Sequence, residues 1–153
     1  MDALKLKIPP PLVALTMAAL MWLIARAAPN LAFALPMRRV LAACVALAGV
    51  SVAIAGVAGF RRVGTTVNPL RPEKASTLVV TGIYRITRNP MYLGLLLVLV
   101  AWAVILSNAL ALILLPAFIL YMNHFQIRPE EAALMSTFGP AFRTYKSKVR
   151  RWL

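Results

Sequence analysis

The stretch from Asn89 to Ile127, NPMYLGLLLVLVAWAVILSNALALILLPAFILYMNHFQI, holds 39 residues without a charge if His124 is neutral. As one helix it would be about 58 Å long, nearly twice a hydrocarbon core of roughly 30 Å. It must therefore turn back on itself. Ser107-Asn108 is the polar pair at its middle and marks the turn. The expected product is a tight hairpin of two spanning helices, at about 91–106 and 109–125. Pro116 should kink the second arm, because its ring removes a helical hydrogen bond.

Two more uncharged runs lie upstream: Ile8 to Ala25, of 18 residues, and Val40 to Phe60, of 21. They reach about 27 and 32 Å, one hydrocarbon core each. Lys5 and Lys7 before the first run, and Ala25-Arg26-Ala27 after it, faintly resemble a signal peptide. The apolar stretch is longer than a signal core and Arg26 sits badly at a cleavage site, so it is read as a retained helix. The composition agrees, at 61% hydrophobic and 14% charged, which is too apolar for an ordinary soluble domain. The expected fold is all-α: a single polytopic membrane domain, 1–153. Its spans lie at about 9–26, 40–60, 91–106 and 109–125, with a loop at 61–90 and an amphipathic C-terminal segment at 128–153.

Four spans place both termini on one side. That side holds fourteen of the 17 Lys and Arg, and Arg26, Arg38 and Arg39 fall on the other. By the positive-inside rule the termini and the long loop are cytoplasmic, in the inner membrane if the source is bacterial. Orientation and attraction to anionic headgroups account for the net charge of +13. No basic stripe with interleaved aromatics is left to argue for nucleic acid.

In the second helix Ala42, Ala46, Gly49, Ala53 and Gly56 share one face, on which another helix can approach closely. Packing within the chain is the expected use, and a homodimer seam the alternative; the oligomeric state stays open. Cys44 is expected to be a small packing residue, and one cysteine allows neither an intrachain disulfide nor a cysteine-based zinc site. After the hairpin, Arg128-Pro129-Glu130-Glu131 sets Pro and acids at a helix start, where both are favoured. Leu134, Phe138, Phe142, Tyr145 and Val149 then repeat at helical spacing. They form a basic amphipathic helix, bent at Gly139-Pro140, that lies along headgroups or folds over the bundle. Trp152 suits an interfacial anchor.

No carboxylate lies in a span, which argues against a proton-coupled transporter. The four acids and one His are too few for a metal cage or a Ser/His/Asp arrangement. Gly56-x-x-Gly59 lies inside a span, not after a strand, so it is no phosphate loop. Polar and aromatic groups concentrate at two places. One runs from Ser76 and Thr77 through Thr81, Gly82, Tyr84, Arg85, Arg88, Asn89 and Pro90 to Tyr92. The other is His124, Gln126, Arg128, Glu130 and Glu131. They flank the two ends of one hairpin, so topology makes them neighbours and a shared pocket is expected.

At these residues the chain resembles the isoprenylcysteine carboxyl methyltransferase and phospholipid methyltransferase group of integral membrane enzymes. The matching residues are Thr77-Leu78-Val79-Val80-Thr81-Gly82-Ile83-Tyr84-Arg85 and Arg88-Asn89-Pro90-Met91-Tyr92-Leu93-Gly94. Glu130-Glu131-Ala132-Ala133-Leu134, Phe138-Gly139, Tyr145 and Val149 follow. The likeness covers about 76–153.

The resemblance implies S-adenosylmethionine as methyl donor and a lipophilic acceptor, an isoprenylcysteine-type carboxylate or a phospholipid amine. Carried over by position, Ser76, Thr77, Leu78, Val79, Tyr84, Asn89, Pro90, Met91, Tyr92, Glu130 and Glu131 hold the donor. Arg88 and Glu130 are the catalytic candidates. His124, Gln126 and Arg128 are the substrate-side candidates, and no metal is implied. A carboxylate accepts hydrogen bonds from ribose hydroxyls, and aromatic faces stabilise a sulfonium. Methyl transfer needs chiefly an aligned acceptor rather than acid–base machinery. Two positions depart from the family pattern. Asn89 stands where Arg-His-Pro-x-Tyr has its His, which removes any titrating base there. Gln126 stands where prenylcysteine enzymes carry an Arg. The competing reading is a non-enzymatic transporter subunit or scaffold. Membrane lipids are partners under either.

Overall fold

Proline fixes where two of the helices start. Pro10 opens α1 (Pro10–Ala27) and Pro90 opens α3 (Pro90–Leu106), at positions where a missing N–H costs nothing. These helices belong to a computed structural model that describes residues 6–64 and 76–153. Asp2 and Lys5, and Arg71, Glu73 and Lys74 of the 61–90 loop, lie outside the described residues. The other helices are α2 (Arg38–Arg62), α4 (Leu114–Tyr121) and α5 (Arg128–Lys148). Among the described residues there is no strand, only one isolated bridge between Ala32 and Asn108.

α1 and α2 are long and apolar enough to cross a membrane, and α3, at 17 residues, is shorter but apolar. The hairpin turn falls where the sequence puts it. Ser107 ends α3 in the left-handed region at φ 45°. Asn108 Oδ1 then accepts from the backbone N–H of Leu110 and Ala111 at 3.0 and 3.2 Å, and its Nδ2 donates to Ala28 O at 2.8 Å. One side chain thus caps the returning arm and ties it to the end of α1.

The second arm differs from expectation in two ways. Pro116 sits in the first turn of α4, directly after the 3-10 turn Ala111–Ile113, rather than in the arm's middle. The irregularity comes instead at Met122–Ile127, a π-helical turn that leads into α5 without a break. Residues 111–148 thus form one helical path of 38 residues, about 57 Å and too long for a single crossing. Its first charge is Arg128, so its uncharged part is 111–127 and α5 carries the charges that follow. The bend expected at Gly139-Pro140 is present: Gly139 has φ 46° and ψ −116° inside α5.

The small-residue face of α2 packs within the chain, against α3. A Cβ on Gly94 would lie 2.6 Å from Gly49 O and 2.7 Å from Ala53 Cβ. Glycine at both positions lets the two backbones touch. Cys44, expected to pack, is exposed. It lies off that face. The main core joins α1, α3 and α4 through Met21, Leu99, Phe118 and Met122, all 2% exposed or less. A second cluster joins Val79, Tyr84, Phe142 and Tyr145, and it carries the candidate site.

Candidate functional site

The hairpin returns its chain to the end of the bundle from which it starts, and the two polar clusters meet there. Arg88, two residues before α3, and Glu131, in the first turn of α5, form an ion pair with Nη2 2.8 Å from Oε1. Their side chains are 9% and 11% exposed. Arg88 Nη1 also donates to Lys146 O at 3.1 Å. Glu131 is held from three sides, since Lys146 Nζ lies 3.3 Å and Arg151 Nη2 2.8 Å from its Oε2.

Glu130 turns about 100° away on the same helix and meets a different environment. Tyr92, in the first turn of α3, donates its hydroxyl to Glu130 Oε1. Gln126 Nε2 donates to the same oxygen at 3.0 Å. No cation pairs with Glu130 among the described residues. Two carboxylates adjacent in sequence therefore stand in opposite electrostatic settings. Burial pushes the Glu130 carboxyl up to about 7, against the pull of the bonds from Tyr92 and Gln126. Burial acts to raise Glu131 as well, but the Arg151 hydrogen bond and the charges of Arg88, Arg151 and Lys146 outweigh it and hold it below its ordinary range. Paired acids with separated titrations are a frequent sign of divided roles.

The aromatic side of the site follows from close packing. Gly59 of α2 lets the Tyr84 ring approach, for a Cβ there would lie 3.0 Å from Tyr84 Cε2. Phe60 meets that ring edge-on, with centroids 5.3 Å apart. Tyr84 donates to Gly56 O at 3.3 Å, and Tyr145 donates to Tyr84 O at 2.7 Å. Burial raises the hydroxyls of both, Tyr84 far above its usual range and Tyr145 to about 12, so both stay protonated donors.

These groups surround a cavity of about 60 Å³. Of the sequence candidates, Thr77, Leu78, Val79, Tyr84, Arg88, Asn89, Glu130 and Glu131 line it. Ser76, Pro90, Met91, Tyr92, His124, Gln126 and Arg128 do not. Tyr92 and Gln126 stand behind Glu130 and orient it. His124 packs edge-on against Phe125, with centroids 4.7 Å apart, and Arg128 is exposed. Sequence reasoning assigned no site role to Leu134, Phe142 and Tyr145, which line the cavity, or to Lys146 and Arg151, which hold Glu131. The aromatics had been assigned to a helix face and the cations to topology. Thr87 was unassigned. It is fully buried, accepts from Asn89 N at 3.2 Å and donates to Arg151 O at 3.3 Å.

The residues present fit S-adenosylmethionine in kind. Among the described residues both hydrogen bonds to the Glu130 carboxylate go to Oε1, which leaves Oε2 facing no described donor and suited to a diol. Tyr84 and Phe142 offer rings to a sulfonium. The volume is room for about two waters at ~30 Å³ each, against roughly 300–1,000 Å³ for a ligand pocket. A nucleoside would need a wider opening than this. A separate apolar groove of about 770 Å³ runs between α1, α2 and α3, lined by Ala14, Ala18, Ala42, Ala46, Leu99 and Trp102 among others.

Comparison with known proteins gives a family and a relative. The phospholipid methyltransferase family model matches residues 37–141. An uncharacterized protein of Haemophilus influenzae is 56% identical over 63 residues, which are 41% of this chain and the whole of that protein. No solved structure matches.

Proposed function

The chain belongs to the phospholipid methyltransferase family, and from that premise we propose that it is a membrane enzyme transferring a methyl group from S-adenosylmethionine to a lipophilic acceptor. The acceptor is an isoprenylcysteine-type carboxylate or a phospholipid amine, met at the cytoplasmic face. The observation that carries this reading is the ion pair between Arg88 and Glu131, 2.8 Å across. It closes the stretch around Asn89 against the paired acids, with Glu130 beside them on the cavity wall.

The donor, when bound, supplies an electrophilic methyl on a cationic sulfur. The chain's own groups do the rest. Glu130 accepts from the ribose hydroxyls through Oε2, while Tyr92 and Gln126 fix its orientation. The Tyr84 and Phe142 rings stabilise positive charge and keep water out. Arg88 and Asn89 hold the polar end of the donor. The positive-inside count favours placing this end, and both termini, in the cytoplasm. The apolar groove between α1, α2 and α3 gives hydrocarbon surface to a lipid acceptor.

Calorimetric titration of the detergent-solubilised protein with S-adenosylhomocysteine tests the reading. Micromolar binding that disappears in Glu130→Ala is expected. A folded protein that binds none would overturn it in favour of a scaffold. Native lipid extract incubated with labelled donor then separates carboxylate from amine acceptors.

A further inference from the structure

Beyond α5 the chain turns extended at Val149, with φ −122° and ψ 132°, and runs back over the site. Within residues 150–152 it makes contact with three separate parts of the molecule. Arg150 O accepts from Arg88 N at 3.0 Å. Arg151 O accepts from Asn89 Nδ2 at 2.9 Å and from Thr87 Oγ1 at 3.3 Å. The Arg151 guanidinium grips Glu131 with two bonds, Nε to Oε1 at 3.0 Å and Nη2 to Oε2 at 2.8 Å. Trp152 Nε1 donates to Asn123 Oδ1 at 3.1 Å, and its ring packs on the main core.

We propose that Arg151 is a positioning residue for donor binding: through its guanidinium it sets Glu131, and through its carbonyl it sets Asn89. This rests on the donor reading given above. Asn89, just before α3, and Glu131, in α5, line the cavity, and their two helices are already joined there by Tyr92 to Glu130, with Arg88 bound to Glu131. Arg151 adds a further link, and it is the residue that bonds to both Asn89 and Glu131. A two-pronged guanidinium–carboxylate contact fixes direction as well as distance, which a single point charge does not. Trp152 anchors the link by seating the chain on the π-helical turn. Arg151 thereby sets the width between the Asn89 wall and the Glu131 wall. An opening that must admit a nucleoside and then close on it depends on that width.

The test is calorimetry with S-adenosylhomocysteine on full-length wild type, Arg151→Ala and Arg151→Lys in detergent. Thr16→Ala serves as a control remote from the site, because Thr16 is exposed on α1 and bonds only back to Leu12 O of its own helix among the described residues. Arg151→Ala is expected to raise Kd at least tenfold with unchanged stoichiometry. Arg151→Lys is expected to recover part of the loss, and Thr16→Ala to bind as wild type. Stoichiometry counts folded protein and Kd reports the affinity of what is folded, so mere unfolding would lower the first and spare the second. Arg151→Ala binding at wild-type Kd would overturn the positioning role and leave the donor reading intact. Arg151→Ala that lost stoichiometry at constant Kd would reduce Arg151 to a structural brace. A wild type that binds nothing would overturn the donor reading, and this inference with it.

Discussion

Arg88 and Glu131 are 43 positions apart and their side chains meet at 2.8 Å, at the two ends of a hairpin that leaves and re-enters one end of the bundle. The pair is nearly buried, and Arg88 Nε has no hydrogen-bond partner among the described residues. Lys146 and Arg151 crowd the same carboxylate. The cluster therefore carries net positive charge, and Glu131 is what permits three cations to share so small a space.

Removing that carboxylate should cost more than removing any one cation. Glu131→Ala leaves three facing cations uncompensated, and breaking a buried pair from one side costs roughly 3–5 kcal/mol. Arg88→Ala leaves Glu131 with two partners, so about half that loss is expected. Unfolding in detergent with each variant checks the order. Equal losses would mean that the cluster does not act as drawn.

Glu130 gives a pH signature of opposite sign to Glu131. Its folded titration near 7 lies above its ordinary 4.5. A carboxyl raised on folding favours the protonated state, so its contribution to stability declines as pH rises from about 4.5 to 7 and is gone above that. Glu131, lowered on folding, contributes stability above its ordinary value and loses it as pH falls. Glu130→Gln keeps an acceptor for Tyr92 and Gln126 and removes the buried charge. It should raise Tm at pH 8 by about 2–6 °C and make no difference near pH 4.5. Donor-analogue affinity should move the other way. The ionised carboxylate accepts hydroxyls more strongly, so binding to wild type should tighten from pH 6 to 8, with a midpoint near 7. In Glu130→Gln it should be weak and flat.

Gly94→Ala should drive α2 from α3. Its Cβ would meet backbone at Gly49 O, 2.6 Å away, and no flexible atom there can yield. Overpacking of this kind costs about 1–3 kcal/mol or more. Because α2 also brings Gly56 and Phe60 to Tyr84, the variant should lose analogue binding as well as stability. Gly82→Ala is a comparison in which a Cβ meets nothing within 4 Å and only the left-handed backbone resists. It should cost about 1–2 kcal/mol.

Asn89→Ala removes the side-chain bond to Arg151 O and should cost about 1 kcal/mol of stability. The same variant should weaken analogue binding. Asn89→His, which restores the family's residue, can donate a single N–H to the same carbonyl and should keep most of the affinity. A histidine variant as weak as the alanine variant would show that the amide itself is required.

Much of the plan was already legible in the residues. The uncharged lengths of 18, 21 and 39 pointed to the apolar helices α1 and α2 and to a folded-back third run. Ser107-Asn108 marked the turn, and the turn alone required Arg88 and Glu131 to be neighbours. The small face of α2 announced a close partner. These are local properties, since the cost of burying charge or an unpaired backbone group acts on each stretch wherever it lies. What hydropathy leaves open is rotation about a helix axis and the identity of partners far along the chain. Only the packed structure decided that Glu130 turns to Tyr92 and Gln126 while Glu131 turns to three cations. It also moved Tyr92 from the cavity wall to a place behind it, and seated Arg151 between two walls of the site. A difference of about 100° around α5, set by the π-helical turn and by how α5 meets α3, separates the two roles of one Glu-Glu pair.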